Sequence, residues 1–284
     1  MRYAQVCADG VSQLEEAGVQ EAQLDARLLL EHVCGTDRQF LLAHGETQIT
    51  DRQCQEYKEV IQKRKCHIPL QHITGSQEFM GLEFQVNSDV LIPRQDTEVL
   101  VEEVLRFLHD GMRILDLCTG SGCILLSLLH YSNDCEGVGT DISVPALRLA
   151  QQNGERLNLQ QREGRSFAEF LESDLFAKVE GFFDIIVSNP PYIESEVIET
   201  LMEEVRSHEP VLALDGGRDG LFFYRKIVEE AKYYLKRGGQ LFLEIGYNQA
   251  QSVMELLKKA GFWEIMLVQD FAGNDRVVYG TWRD

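Results

Sequence analysis

Ile114-Leu115-Asp116-Leu117-Cys118-Thr119-Gly120-Ser121-Gly122-Cys123 passes from an apolar run into a glycine turn and then into a second apolar run, Ile124 to Leu129. That order predicts a buried strand, a tight turn and a helix. Outward from it, strands are expected near 113–117, 136–140, 167–172, 183–188, 240–245, 263–269 and 276–281. Helical patterns separate the first five, and a further helix is expected near 97–109. Strand–helix alternation implies an α/β fold with a mostly parallel seven-stranded sheet covered on both faces. Only Asp270 to Asp275 joins the last two strands, too short for a parallel crossover, so the final pair is expected to be antiparallel.

Residues 1–68 read as a small helical bundle. Thr50-Asp51-Arg52-Gln53 fits a capping box, Leu24, Leu28 and Val33 form an apolar stripe closed by Gly35, and Asp37 can cap a short helix through Phe40 and Leu41. Residues 69–93 read as a β-hairpin linker, with Leu70-Gln71-His72-Ile73 as one strand and Phe79 to Phe84 following, and residues 94–284 as the sheet domain.

Composition narrows the class. At 284 residues, 44% hydrophobic and 26% charged, the chain resembles a globular protein with room for two domains. No apolar run reaches the length of a membrane span, and the amino terminus has no apolar signal core. The seven cysteines form no Cys-x-x-Cys pair, which favours reduced thiols in a cytoplasm over disulfides or zinc. The net charge of −19 disfavours a protein that grips phosphate backbones. The one basic cluster, Lys63-Arg64-Lys65 with Lys58 upstream, reads as a solvated helix end.

The glycine turn suits a ligand because glycine lets backbone come close and the helix start leaves N–H groups free. A dinucleotide site calls for Gly or Ala three residues after Gly122, where Leu125 stands. Asp116, at the turn, would repel a pyrophosphate and suits a cationic amino group. Asp141 ends the next strand, where a carboxylate can accept both ribose hydroxyls. Asp174 and Leu175, after the third strand, would border an adenine. A ligand with a ribose and an amino acid but no phosphates fits, and S-adenosylmethionine is such a ligand. The cofactor-binding set is Cys118, Thr119, Gly120, Ser121, Gly122, Asp141, Asp174, Leu175 and Asn189.

Phe182 to Ser188 reads as a buried strand that ends in Asn189-Pro190-Pro191-Tyr192. Proline cannot extend a sheet, so the chain leaves it at Asn189, at the strand end where open α/β sheets bind ligands. The Asn189 side-chain oxygen and the Pro190 carbonyl can accept the two N–H bonds of an NH₂ group, and the Tyr192 ring can pack on its plane. Asn189, Pro190 and Tyr192 are the catalytic candidates, and Asn189 through Tyr192 the substrate-binding ones. Because a sulfonium methyl donor is already activated, no metal is expected, and the work is orientation.

Together the glycine turn, Asp141 and Asn189-Pro190-Pro191-Tyr192 resemble class I S-adenosylmethionine-dependent amino-methyltransferases. The whole chain resembles the HemK/PrmC type, the peptide chain release factor glutamine N5-methyltransferases. Five more stretches carry the likeness: Asp25-Ala26-Arg27-Leu28-Leu29-Leu30, Pro69 to Gly75, Leu91 to Glu98, Glu209-Pro210 with Leu214 to Tyr224, and Asp270 to Arg276. The resemblance implies a Rossmann-like catalytic domain and methylation of the glutamine in the Gly-Gly-Gln loop of class I release factors during translation termination. S-adenosylhomocysteine would be the product, and the helical domain would help dock the release factor. The enzyme is expected to act as a cytoplasmic monomer without nucleic acid or membrane. Cys118 departs from the family, which usually has glycine there. Methylation of an exocyclic amine of DNA or RNA is the alternative, since such enzymes carry the same tetrapeptide.

Gly238-Gly239-Gln240 repeats that substrate tripeptide within the chain and reads as a helix C-cap turning into a strand. His72 and His208 are read as structural. Arg94 either steadies the mouth of the site or caps the helix that follows.

Overall fold

The computed structural model describes residues 1–160 and 166–283. They divide into a helical unit, Met1–Ser76 with Met202–His208, and a sheet unit, Gln77–Leu201 with Glu209–Asp284. The chain therefore enters the helical unit twice.

The helical unit holds α1 (Tyr3–Glu16), α2 (Ala22–Cys34), α3 (Arg38–Ala43), α4 (Asp51–Lys65) and α5 (Leu70–Thr74). Its caps follow the residue types. Thr50 and Gln53 complete a capping box on α4, Gly35 closes α2 in the left-handed region, and Asp37 accepts the Phe40 amide at 2.7 Å. Leu14, Ala26, Leu29, Leu30, Tyr57 and Ile61 form the core. Asp25 and Arg64, both buried, pair at 2.7 Å, and Arg64 also holds Glu204 of the second passage at 2.8 Å. Arg64 is thus an inward-facing cation, not part of a solvated helix end. The His208 ring meets the Cys66 carbonyl at 3.1 Å, a structural role.

One expectation fails here. Leu70 to Ile73 is the helix α5, not a strand. Leu70 and Ile73, three apart, turn together toward the helical core, and Gly75 ends the helix at φ 79°. The hairpin is shorter, β1 (Ser76–Phe79) against β2 (Leu82–Gln85).

The sheet unit continues with α6 (Gln95–Leu105), β3 (Arg113–Leu117), α7 (Cys123–His130), β4 (Glu136–Asp141), α8 (Val144–Arg156), β5 (Phe167–Glu172) and β6 (Phe183–Ser188). After α9 (Glu203–His208), which belongs to the helical unit, come α10 (Phe222–Ala231), β7 (Leu235–Glu244), α11 (Ala250–Ala260), β8 (Trp263–Gln269) and β9 (Asp275–Thr281). The seven-stranded order is β5-β4-β3-β6-β7-β9-β8. β3 through β7 are parallel, and β9 runs antiparallel to both β7 and β8.

Alternation along the strands feeds two cores. Ile114, Ile185, Val187 and Phe242 face α6 and α7, while Leu115, Leu117, Ile186 and Leu243 face α10 and α11. The chain winds outward from β3 to β5 and then restarts beside β3 with β6. The carboxyl ends of β3, β4 and β6 therefore surround a topological switch point, where such sheets leave a crevice. Gly238-Gly239 lies inside β7, not at a helix end, since α10 stops at Ala231. Gly238, at φ 82°, forms an irregularity where the pairing with β6 shifts register. No described helix is long and apolar enough to cross a membrane.

Candidate active site

A cavity of about 370 Å³ opens at that switch point. Cys118, Thr119, Gly120 and Ser121 line it from the turn after β3, Asp141 from the end of β4, Asp174 and Leu175 from the turn after β5, and Asn189 and Pro191 from the turn after β6. Gly122, Pro190 and Tyr192 stand behind this wall rather than in it.

Short bonds hold the glycine turn. The Thr119 amide donates to the Thr140 carbonyl at 2.9 Å, and the Gly122 amide to the Thr119 carbonyl at 2.8 Å. Asn153 Nδ2 donates to the Ser121 carbonyl at 2.9 Å. Gly122 closes the turn at φ 79°, and a Cβ there would sit 3.1 to 3.3 Å from Leu126, Ala150 and Phe170. Cys118 takes φ 59°, a conformation that costs a residue with a Cβ. Burial raises its thiol far above the range where a thiolate forms.

Asp116 does not reach the cavity. It is fully buried on the sheet face opposite Leu115 and Leu117, and Thr119 Oγ1 donates to its Oδ2 at 2.6 Å. Burial lifts its carboxyl to about 7. The expected partner for a ligand's amino group is instead a brace beneath the turn.

Asp141 does reach it. Its Oδ2 accepts the Gly120 amide at 2.9 Å and its Oδ1 the Ser143 amide at 2.9 Å. Burial raises the carboxyl, and these backbone donors pull it back toward the charged form. A carboxylate has about four acceptor sites, so two remain for hydroxyls.

Asn189 Nδ2 donates to Thr97 Oγ1 at 3.4 Å, which leaves Oδ1 as the amide's acceptor end. Pro190 and Pro191 are buried. Gln249 Nε2 holds the Tyr192 carbonyl at 3.0 Å, and the Gly216 amide donates to the Ile193 carbonyl at 2.8 Å. A Cβ on Gly220 would come within 2.4 Å of the Tyr192 carbonyl oxygen, so only glycine fits there. Burial raises the Tyr192 phenol, and the Glu244 carboxylate adds to it.

Sequence reasoning missed much of the apolar wall: Val90, Ile142, Leu212, Phe222 and Phe223. It gave Thr97 and Lys226 no role. Arg94 lines the cavity and its guanidinium pairs with Glu209; its side chain makes no cap on α6. The cavity acids are Asp89, Asp141 and Asp174, and no Lys or Arg stands on the glycine turn. With the open space over Gly120, those acceptor carboxylates fit a nucleoside carrying an amino group better than a phosphate.

Residues 5–75 match the PrmC N-terminal domain, and residues 94–218 the methyltransferase small domain. The release factor glutamine methyltransferase of Clostridium acetobutylicum is 41% identical over 280 residues, 98% of each chain. This chain belongs to that family. The Escherichia coli member is 38% identical over 284 residues, 99% of each chain. A methyltransferase from Pyrococcus furiosus shares the sheet-unit fold at 20% identity and a TM-score of 0.53, covering 72% of this chain and 91% of that one. The protein is thus a methyltransferase of the S-adenosylmethionine-dependent fold.

Proposed function

We propose that this enzyme methylates the side-chain amide nitrogen of the glutamine in the Gly-Gly-Gln loop of class I peptide chain release factors, as a monomer in the cytoplasm. The observation that carries the reading is the shared wall. Asn189, with Oδ1 as its acceptor end, borders the same cavity as Asp141 and the glycine turn. S-adenosylmethionine supplies the methyl group as a sulfonium. Cys118 to Gly122, Asp141, Asp174 and Leu175 bind and orient it. Asn189 Oδ1 and the Pro190 carbonyl hold the two N–H bonds of the substrate amide, and Tyr192 packs on its plane. A primary amide is a poor nucleophile because its lone pair is delocalised. Two acceptors on its N–H bonds favour a pyramidal nitrogen with the lone pair turned toward the methyl carbon. The helical unit helps to dock the release factor.

The relatives named for release factor glutamine methylation support this substrate, and the net charge of −19 does not favour a nucleic acid. The test is incubation with isotope-labelled S-adenosylmethionine and purified release factors, followed by peptide mapping. Label on the Gly-Gly-Gln glutamine is expected; label on nucleic acid alone, or none on the factor, overturns the reading. Asn189→Ala should lower turnover on the order of 10²–10³-fold while cofactor affinity changes little.

A further inference from the structure

Along the carboxyl edge of the sheet the turns follow the strand order. Leu175 comes after β5, Asp141 ends β4, the glycine turn follows β3, and residues 189–192 follow β6. Most of the cofactor set thus stands on the β5-to-β3 side of the tetrapeptide. On its other side come the turns after β7 and β8, because β8 runs parallel to β7 through their shared antiparallel neighbour β9. Each of these turns holds an aromatic side chain in water. Tyr247 is 70% exposed, and Phe271, at 94%, is the most exposed large hydrophobic residue described. Neither lines the cavity.

Both turns are tied down. Asp270 Oδ1 accepts the Ala272 and Asn274 amides, each at 2.9 Å, and Arg276 donates to its Oδ2 at 3.1 Å. The same Arg276 pairs at 3.0 Å with Asp96 in the first turn of α6, next to Thr97 of the cavity wall. In the turn after β7, Gln249 accepts the Gly246 amide at 3.0 Å and donates to the Tyr192 carbonyl at 3.0 Å. The Ile245 amide donates to the Arg276 carbonyl at 2.8 Å and joins one turn to the other. None of these bonds uses the side chain of Phe271 or Tyr247. The fold therefore fixes two rings beside the tetrapeptide and leaves most of their surface in solvent. Aromatic side chains on fixed backbone make good interface anchors, because binding has only two torsions per ring to order.

We propose that Phe271 and Tyr247 form a docking surface for the polypeptide that carries the target amide, and that they receive an apolar side chain from the segment flanking it. Continuity with the site selects that occupant. When a side-chain amide is held at Asn189, the backbone that bears it runs on past residues 189–192. The cofactor set stands on one side of that tetrapeptide, and the two rings stand on the other. Exposed rings can also stack on bases, but the net charge of −19 opposes a nucleic acid. The inference rests on the reading that the substrate is a release factor amide.

The test measures kcat, and the dissociation constant of a release factor for the full chain saturated with S-adenosylhomocysteine. Phe271→Ser and Tyr247→Ser should each weaken factor binding roughly 5–30-fold, the range for losing an interface anchor. Phe271→Leu keeps an apolar side chain and should stay within about threefold of the parent. At saturating factor, kcat should hold within about twofold in every variant, because the rings touch no reacting group. Melting temperatures should stay close to the parent's, as exposed positions allow. Tyr233→Ser is the control: this ring is 66% exposed just before β7, at the opposite edge of the sheet, and its loss should leave factor binding unchanged. Parent-like factor binding in the Phe271→Ser/Tyr247→Ser double variant, with or without lost binding of a single-stranded RNA oligonucleotide, overturns the inference and leaves the substrate reading standing. So does an equal loss in Tyr233→Ser. If the parent itself does not methylate the factor, the substrate reading falls and this inference falls with it.

Discussion

Asp141 accepts a hydrogen bond from the Gly120 amide at 2.9 Å, so one carboxylate both shapes the glycine turn and faces the cavity beside it. Asp141→Ala should therefore weaken S-adenosylhomocysteine binding by roughly 10–100-fold, the range for losing hydrogen bonds to a charged group. Asp141→Asn keeps one oxygen and should lose less. Isothermal titration reads both, and an unchanged dissociation constant in the alanine variant contradicts the ribose assignment.

Cys118 occupies the left-handed region at φ 59°. Cys118→Gly relieves strain of about 1–2 kcal/mol, offset by glycine's greater chain entropy, so its melting temperature should equal or slightly exceed the parent's. Cys118→Val puts a branched Cβ into the same backbone and should destabilise by about 1–3 kcal/mol. Thermal denaturation of the pair checks the ordering. A valine variant as stable as the glycine one would mean that the turn bears no such strain.

Gly220 backs the tetrapeptide loop. With φ 66° and a Cβ position 2.4 Å from the Tyr192 carbonyl oxygen, Gly220→Ala must displace that loop. Turnover should fall roughly 10²-fold, the effect of about 1 Å of misplacement. Gly18→Ala serves as the control: its φ of 76° carries the strain, but its Cβ would meet nothing within 4 Å. It should lose about 1 kcal/mol of stability and keep its turnover. Equal kinetics in the two variants would remove the positioning role of Gly220.

Burial raises Asp116 from 3.8 to about 7 and Glu244 from 4.5 to about 7. Between the unfolded and folded values the native state holds more protons than the unfolded chain. These two groups therefore make stability fall as pH rises from about 4 to about 7, and add no further slope above that. Asp116→Asn or Glu244→Gln should flatten the melting temperature across that window. At pH 8, Glu244→Gln should be stabler than the parent, by on the order of 1–3 kcal/mol. A melting curve that rises between pH 5 and 7 in the parent and is unchanged in both variants would contradict the burial argument.

The strands were legible because both faces of the sheet are covered, which turns β3 and β6 into short apolar runs. The site was legible where polar residues stand at strand ends, as Asp141 and Asn189 do. Asp116 was misjudged although the signal was present: alternation puts it on the face opposite Leu115 and Leu117, under the turn. Leu70 to Ile73 was misread because four residues are too few to separate a period of two from one of 3.6. Val90, Leu212 and Phe222 could not be found, since they reach the cavity from segments far apart in the chain. Thr97 and Glu244 looked like ordinary positions in a helix and a strand. Only its contact with the Asn189 amide sets Thr97 apart.

The double entry into the helical unit makes that unit hard to exchange. Its chain comes as two separate lengths, 1–76 and 202–208, and Arg64 pairs with Asp25 from the first and Glu204 from the second. Grafting a foreign amino-terminal bundle onto this enzyme would strand Glu204 without its cation. A working chimera has to carry both lengths together, so the two can be traded between relatives only as a set.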